Sequence, residues 1–220
     1  MASKQNKTTL FVDEKLLALE KDGLYRSLKT VSVSGPLATV NGRKAIHLCS
    51  NDYLGLSQDK RVVQAAVRTL RQVSQCSSRL IAGNDPFITK LEDMLARHRR
   101  TESALVYPTG YAANLGAVTA LADKNTTIFS DELNHASIID ACKLSGARIE
   151  VFAHNDTAHL ENLVSKAAGR KIAITEGIFS MDGDSADIVK ICRIAEKYDA
   201  LTIVDDAHGD FIFGPKFAGV

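Results

Sequence analysis

Charge of one sign, membrane-length apolar runs and paired cysteines are what this sequence lacks. Its 220 residues carry 27 Lys and Arg against 26 Asp and Glu, a formal charge of +1. Bulk electrostatics therefore gives no reason to expect a nucleic acid or a membrane surface as partner. The segment Met1–Thr9 is polar, with no apolar stretch of signal-peptide size, and no later run is long enough to span a bilayer. A cytoplasmic protein is the expectation. Cys49, Cys76, Cys142 and Cys192 form no C-x-x-C pair, so each reads as a small buried hydrophobe or a reduced thiol, not as part of a zinc or redox centre. Also absent are G-x-G-x-x-G after a strand, G-x-x-x-x-G-K-[ST] and H-E-x-x-H, which excludes the commonest nicotinamide, P-loop and zinc-protease sites.

With 45% hydrophobic residues the chain can bury a sizeable core. LFVDEKLLALE (10–20) has helical periodicity and ends near Gly23, a natural C-cap. Asn41-Gly42 favours a two-residue hairpin between short strands. Helical periodicity returns over about residues 59 to 73 and again over 85–98, where Asp85 caps and Pro86 fits the first turn. Beyond it ALVYP, TIFSD, RIEVF, KIAITE and LTIVDD read as short buried strands. Helices are expected between most of them, at 112–121, 136–144, 159–167 and 188–198. Such alternation predicts an α/β fold of three layers around a mainly parallel sheet. Residues 1–45 are expected to form an N-terminal helical arm and 46–220 a large domain. After Asp206 come Gly209, Gly214, Pro215 and Gly219 with no closing element, so that domain reads as incomplete.

Ligands of parallel sheets bind beyond the carboxyl ends of the strands, which directs attention to four segments. YPTGYAAN turns a strand end into a helix start, where exposed N–H groups and the helix dipole favour an anion; alone, such a turn serves equally as a structural connection. VDDAHG delivers Asp205, Asp206 and His208 to the binding edge. A carboxylate there needs a cationic or hydrogen-bonding partner. The protonated pyridine nitrogen of pyridoxal 5'-phosphate (PLP) is one, with His208 in reach of the ring's phenolic oxygen; a metal ligand pair or a helix cap at Asp206 is the competing reading. In DELNHAS, His135 opens a helix and can stack on a planar cofactor or simply cap. In TEGIFSMDGD, Glu176 and Ser180 lie in a glycine-bearing loop, where Ser180 could be an ordinary turn residue. His154 and His159, in HNDTAH, read as non-ligands, His47 and His98 have no chemical context, and residues 97–100 read as the solvated basic end of a helix. No metal site is expected.

In their order and wording, SNDYLGL, SSRLIAGN, PTGYAAN, DELNHASIIDA, FAHND, EGIFSMDGDSA and VDDAHG resemble the successive motifs of the α-oxoamine synthases, over about residues 20 to 214. That resemblance implies a PLP-dependent transferase of the aspartate-aminotransferase fold. Gly110 and Tyr111 would then lie beside the cofactor phosphate, His135 on the pyridine face, Ser180 and His208 at the phenolic oxygen and Asp205 at the pyridine nitrogen, with Arg26, Asn51 and Glu176 near the substrate. His135, Asp205 and His208 would be its catalytic residues. EGIFSMDGDSA with DDAHG, rather than DDSHA or DEVHA, implies decarboxylative condensation of L-alanine with pimeloyl-CoA or a pimeloyl-carrier protein, in a homodimer. A sister condensation and a non-catalytic subunit of a heteromeric synthase are the alternatives. Two positions depart from the pattern: Ile88 stands where a histidine is usual, and Asp210-Phe211 where Thr-Gly is usual. The family's Schiff-base lysine and C-terminal domain would lie after Val220, since Lys216 comes too early and in a loop. The 220 residues alone are therefore expected to be inactive.

Overall fold

The computed structural model describes residues 7–70 and 76–220, in two compact units, Met1–Thr69 and Leu70–Val220. In the first unit, helix α1 (Lys7–Lys21) is followed by β1 (Val31–Ser34), β2 (Leu37–Val40) and β3 (Arg43–Ile46), an antiparallel sheet in that order, and then by α2 (Lys60–Thr69). The expected hairpin is present: Val40 pairs with Arg43 across Asn41 and Gly42, both at positive φ (50° and 77°). Two consecutive left-handed residues are what a tight turn matching strand twist requires. Gly23, at φ 67°, takes the left-handed position beyond α1. The expected second helix is α2, and the last residues of its predicted span, 71–73, lie outside the described residues.

The second unit opens with α3 (Pro86–Arg99), which Asp85 caps by accepting from Phe87 N. Then come α4 (Gly110–Leu121), β4 (Thr126–Asp131), α5 (Ala136–Ser145), β5 (Arg148–Phe152), α6 (Thr157–Lys166), β6 (Arg170–Glu176), α7 (Ile188–Lys197) and β7 (Ala200–Asp205). All strand pairs are parallel and the order is β5-β4-β6-β7. Alternation along the strands divides two cores. Ile128, Ile172 and Ile174 pack with Val118, Ile138 and Ala141 from α4 and α5. Phe129 and Ala173 pack with Leu160 and Val164 from α6 and Ile191 and Ile194 from α7. A sheet apolar on both faces and covered on both by helices is the three-layer α/β arrangement expected. Among the described residues no helix is long and apolar enough to cross a membrane.

Three expectations need correction. ALVYP (104–108) is not a strand; Val106 N donates to Glu92 Oε1 at 2.7 Å and Val106 O accepts from Arg79 Nη1 at 2.9 Å, so side chains replace a ladder. RIEVF and LTIVDD do form strands, but as the outer strands of the sheet they are largely exposed or half-buried, while all four cysteines are free as expected, Cys142 buried with its thiol pushed up to about 11 and Cys49, Cys76 and Cys192 exposed. The basic end of α3 is not simply solvated: Arg99 Nη1 pairs with Asp206 Oδ2 at 3.0 Å, and the His98 ring stacks on Phe211 at 4.2 Å. The unusual Asp210-Phe211 segment thus packs against the end of α3.

Candidate active site

The chain passes from β4 out to β5 and back across β4 to β6, so the strand order reverses between β4 and β6. Beyond the carboxyl ends at such a switch lies the crevice where parallel sheets bind ligands. The carboxyl ends of β4, β6 and β7 carry Asp131, Glu176 and Asp205, and Glu176 is in register with Asp205.

Asp205 is half-buried and satisfied on both oxygens: Oδ1 accepts from Ala207 N at 3.1 Å and Oδ2 from Asn114 Nδ2 at 2.8 Å. Asn114, on α4, donates its other amide hydrogen to Ser137 Oγ at 2.8 Å. Ser137 Oγ lies 2.7 Å from His135 Nδ1, which also accepts from Ser137 N at 3.2 Å as the cap of α5. The donors fix the network. Asn114 donates into a lone pair of Ser137 Oγ, which leaves the serine hydroxyl's own hydrogen for His135 Nδ1. The His135 ring is exposed at the crevice. The capping reading of His135 is the one observed, through Nδ1.

Glu176 is buried, and Ser180 N donates to its Oε2 at 3.3 Å. Burial pushes its carboxyl above the ordinary range, helped by the nearby charge of Asp205, and the backbone amides of His135 and Ser180 pull only partly the other way. Below it Asn134 staples the two central strands: its Nδ2 donates to Ser130 Oγ and Ile174 O, and its Oδ1 accepts from Glu176 N. Ser180 is exposed in the loop after β6 and His208 is half-buried in the turn after β7.

At the start of α4, Thr109 Oγ1 accepts from Ala112 N at 3.0 Å, which leaves the amides of Gly110 and Tyr111 as the open donors of the helix end. A Cβ built on Gly110 meets nothing within 4 Å, so the space above that turn is clear. Tyr111 turns its hydroxyl to donate to Asp140. Arg26 and Asn51 belong to the first unit. Ile88 sits half-buried in the first turn of α3.

The α4 end with open amides, the Asp205 carboxylate at the end of β7 and the exposed His135 are linked through Asn114 and Ser137. The sequence profile described as Aminotransferase class I and II matches residues 43–220. The chain belongs to the aminotransferase class I and II family. Within it, the chain is 44% identical over 200 residues to an 8-amino-7-oxononanoate synthase of Marinobacter nauticus, covering 90% of this chain and 51% of that one. It is 44% identical over 212 residues to one of Trichlorobacter lovleyi, covering 94% and 54%. A solved serine palmitoyltransferase of S. paucimobilis with bound PLP-myriocin superposes with a TM-score of 0.86 at 28% identity, over 98% of this chain and 56% of that one. The chain spans about half the length of the curated relatives it matches.

Sequence reasoning missed Asn114 and Ser137, the two residues that tie Asp205 to His135. Both stand inside the motifs PTGYAAN and NHAS, but nothing in their type marks a bridging role; only the packing of α4 on α5 brings them together.

Proposed function

We propose that the whole protein is a PLP-dependent synthase that condenses L-alanine with a pimeloyl thioester to give 8-amino-7-oxononanoate. The observation that carries this is the anionic Asp205 held in one hydrogen-bonded chain with the open His135 ring, beside the clear helix end at Gly110. These residues fit the cofactor. The phosphate would take the amides of Gly110 and Tyr111, His135 would lie on the ring face, Ser180 and His208 would reach the phenolic oxygen, and Asp205 would pair with the pyridine nitrogen. When bound, PLP supplies an electron sink for the amino acid α-carbon.

The protein's own groups then orient and hold protons. The charge of Asp205 would keep a proton on a pyridine nitrogen placed against it. His135 would present its ring to the face of the cofactor. A buried Glu176 with a raised pKa can hold a proton close to Asp205 at little cost. Arg26 and Asn51 would act on the substrate side. In the net reaction a carbon–carbon bond forms between the α-carbon and the thioester carbonyl carbon, the thiol leaves, and the amino acid carboxylate departs as carbon dioxide. The layout proposed for the whole protein is an arm over residues 1–45, a large domain from residue 46 and a homodimer.

The test is to load the whole protein with PLP and offer L-alanine, glycine or L-serine with pimeloyl-CoA, acetyl-CoA or palmitoyl-CoA, following thiol release. L-Alanine with pimeloyl-CoA should exceed every other pair by at least about tenfold, the discrimination that a few methylenes and one methyl group can supply. Preference for glycine with acetyl-CoA would replace this reading by the sister condensation. PLP binding without turnover on any pair would point to a non-catalytic subunit.

A further inference from the structure

One cluster beside the crevice has no part in the function just proposed. His154 follows β5, and both its ring nitrogens meet carboxylates: Nδ1 lies 2.9 Å from Asp131 Oδ1 and Nε2 lies 2.9 Å from Asp184 Oδ2. Asp131 is the last residue of β4, its side chain 1% exposed; Asp184 belongs to the loop after β6, its side chain 42% exposed. Edge-on to the imidazole, at 4.4 Å, is the buried ring of Phe179, in that same loop. Asn155 reinforces the link, donating its amide N to Asp131 Oδ2 at 3.0 Å and Nδ2 to Asp184 Oδ2 at 2.5 Å.

A neutral imidazole has one N–H and can satisfy one carboxylate; its other nitrogen would then set a lone pair against an anionic oxygen. Satisfying both requires the doubly protonated ring. Two further ionisable groups lie near it. Glu132, in the turn after β4, accepts from the His154 amide at 2.8 Å, and His159, on α6, accepts from Ala153 N at 3.1 Å. Burial presses the imidazolium toward losing its proton, but the hydrogen bonds and charges of Asp131 and Asp184 outweigh it and hold the His154 pKa above its ordinary value.

The loop that His154 grips is a closed one. Phe179 N donates to Asp184 O and Gly183 N to Phe179 O, both at 2.9 Å, while Ile178 bridges to Ser185 and Ala186 N donates to Gly177 O at 3.1 Å. Ser180 is carried between the two points that His154 holds, Phe179 and Asp184. We infer that His154 is a positioning residue: by bridging Asp131 to Asp184 it locks the loop from Gly177 to Ala186 onto the end of β4 and sets where Ser180 stands. The consequence for PLP binding rests on the function proposed above; the clamp itself does not.

The sign of the pH dependence follows from the raised pKa. The contribution of the charged ring is complete below the ordinary histidine value of about 6.5. It is lost as pH rises through the higher folded value.

The clamp is tested by hydrogen exchange of the segment 177–186 in the whole protein from about pH 5.5 to 9, with protection taken relative to intrinsic rates. Histidine ¹⁵N spectra of the same samples report the protonation of His154. In the unsubstituted protein, protection should hold at low pH and step down as His154 loses its proton. His154→Gln should lower protection at pH 6 by roughly tenfold, the order of one lost charged hydrogen bond, and should remove the step. Asp184→Asn removes one of the two anions that retain the second proton, so it should move the step to lower pH; it carries the test alone if His154→Gln does not fold. PLP affinity should follow the same curve. Protection in His154→Gln within twofold of the parent, a step unmoved in Asp184→Asn, or a His154 ring with one N–H at pH 6 would each overturn the clamp. Failure of every form to bind PLP would instead remove the functional reading and leave the exchange data to decide the clamp.

Discussion

Asp205→Asn should leave the fold and weak PLP binding in place while lowering turnover by about 10²- to 10⁴-fold, the range seen when a charge or donor aimed at a reacting centre is removed without changing shape. Asparagine matches aspartate in size, so the strand end and the paired register with Glu176 should persist. Two things change. The anion that would hold a proton on a pyridine nitrogen placed against it disappears, and one oxygen becomes an amide nitrogen. Whichever way the amide turns, that nitrogen faces one donor, Ala207 N or Asn114 Nδ2, so one of the two hydrogen bonds is lost; turned toward Asn114, it weakens the link to Ser137 and His135. The loss should therefore fall mainly on kcat, with a smaller fall in PLP affinity measured by absorbance titration. Turnover within about tenfold of the parent would remove Asp205 from the role given to it here.

Phe129→Ala should destabilise the protein by about 3–5 kcal/mol, the usual cost of emptying a buried phenylalanine site. Phe129 is 0% exposed, in the middle of β4. Its ring fills the core between the sheet and helices α6 and α7, against Phe152, Leu160 and Val164. Neighbours on two helices and two strands cannot all close on the gap, because each is fixed by its own contacts on the far side. Against a total stability of about 5–15 kcal/mol that is a large share. It should appear as a lower urea midpoint by circular dichroism, with Val189→Ala on the exposed face of α7 as a control shifting stability by less than about 0.5 kcal/mol. A Phe129→Ala cost below about 1 kcal/mol would mean that the core placed around β4 is not the one that holds the sheet.

The parts of this fold that local chemistry dictates were legible in the sequence. Asp85-Pro86 specified a helix start and Asn41-Gly42 a turn, each through backbone preferences that need no distant partner. TIFSD and KIAITE specified buried parallel strands because both faces of the sheet are covered at its centre, whereas RIEVF and LTIVDD form its outer strands and stay largely exposed or half-buried. ALVYP has the same composition, but composition reports burial potential and not ladder partners, and here Arg79 and Glu92 take its backbone groups. The carboxylates at the strand ends could be read for the same local reason, since strand ends define the binding edge. What joins them could not. Asn114 reaches Asp205 across 91 residues and His154 reaches Asp184 across 30. Nor does local sequence mark His154, which lies in the turn before α6 while His159 is on that helix.

The most direct measurement is a structure of the whole protein crystallised with PLP. The account requires the pyridine nitrogen within hydrogen-bond distance of an Asp205 oxygen, the ring against His135, and the phosphate on the amides of Gly110 and Tyr111. A ring bound with its nitrogen facing away from Asp205, or a phosphate held away from the start of α4, would contradict it.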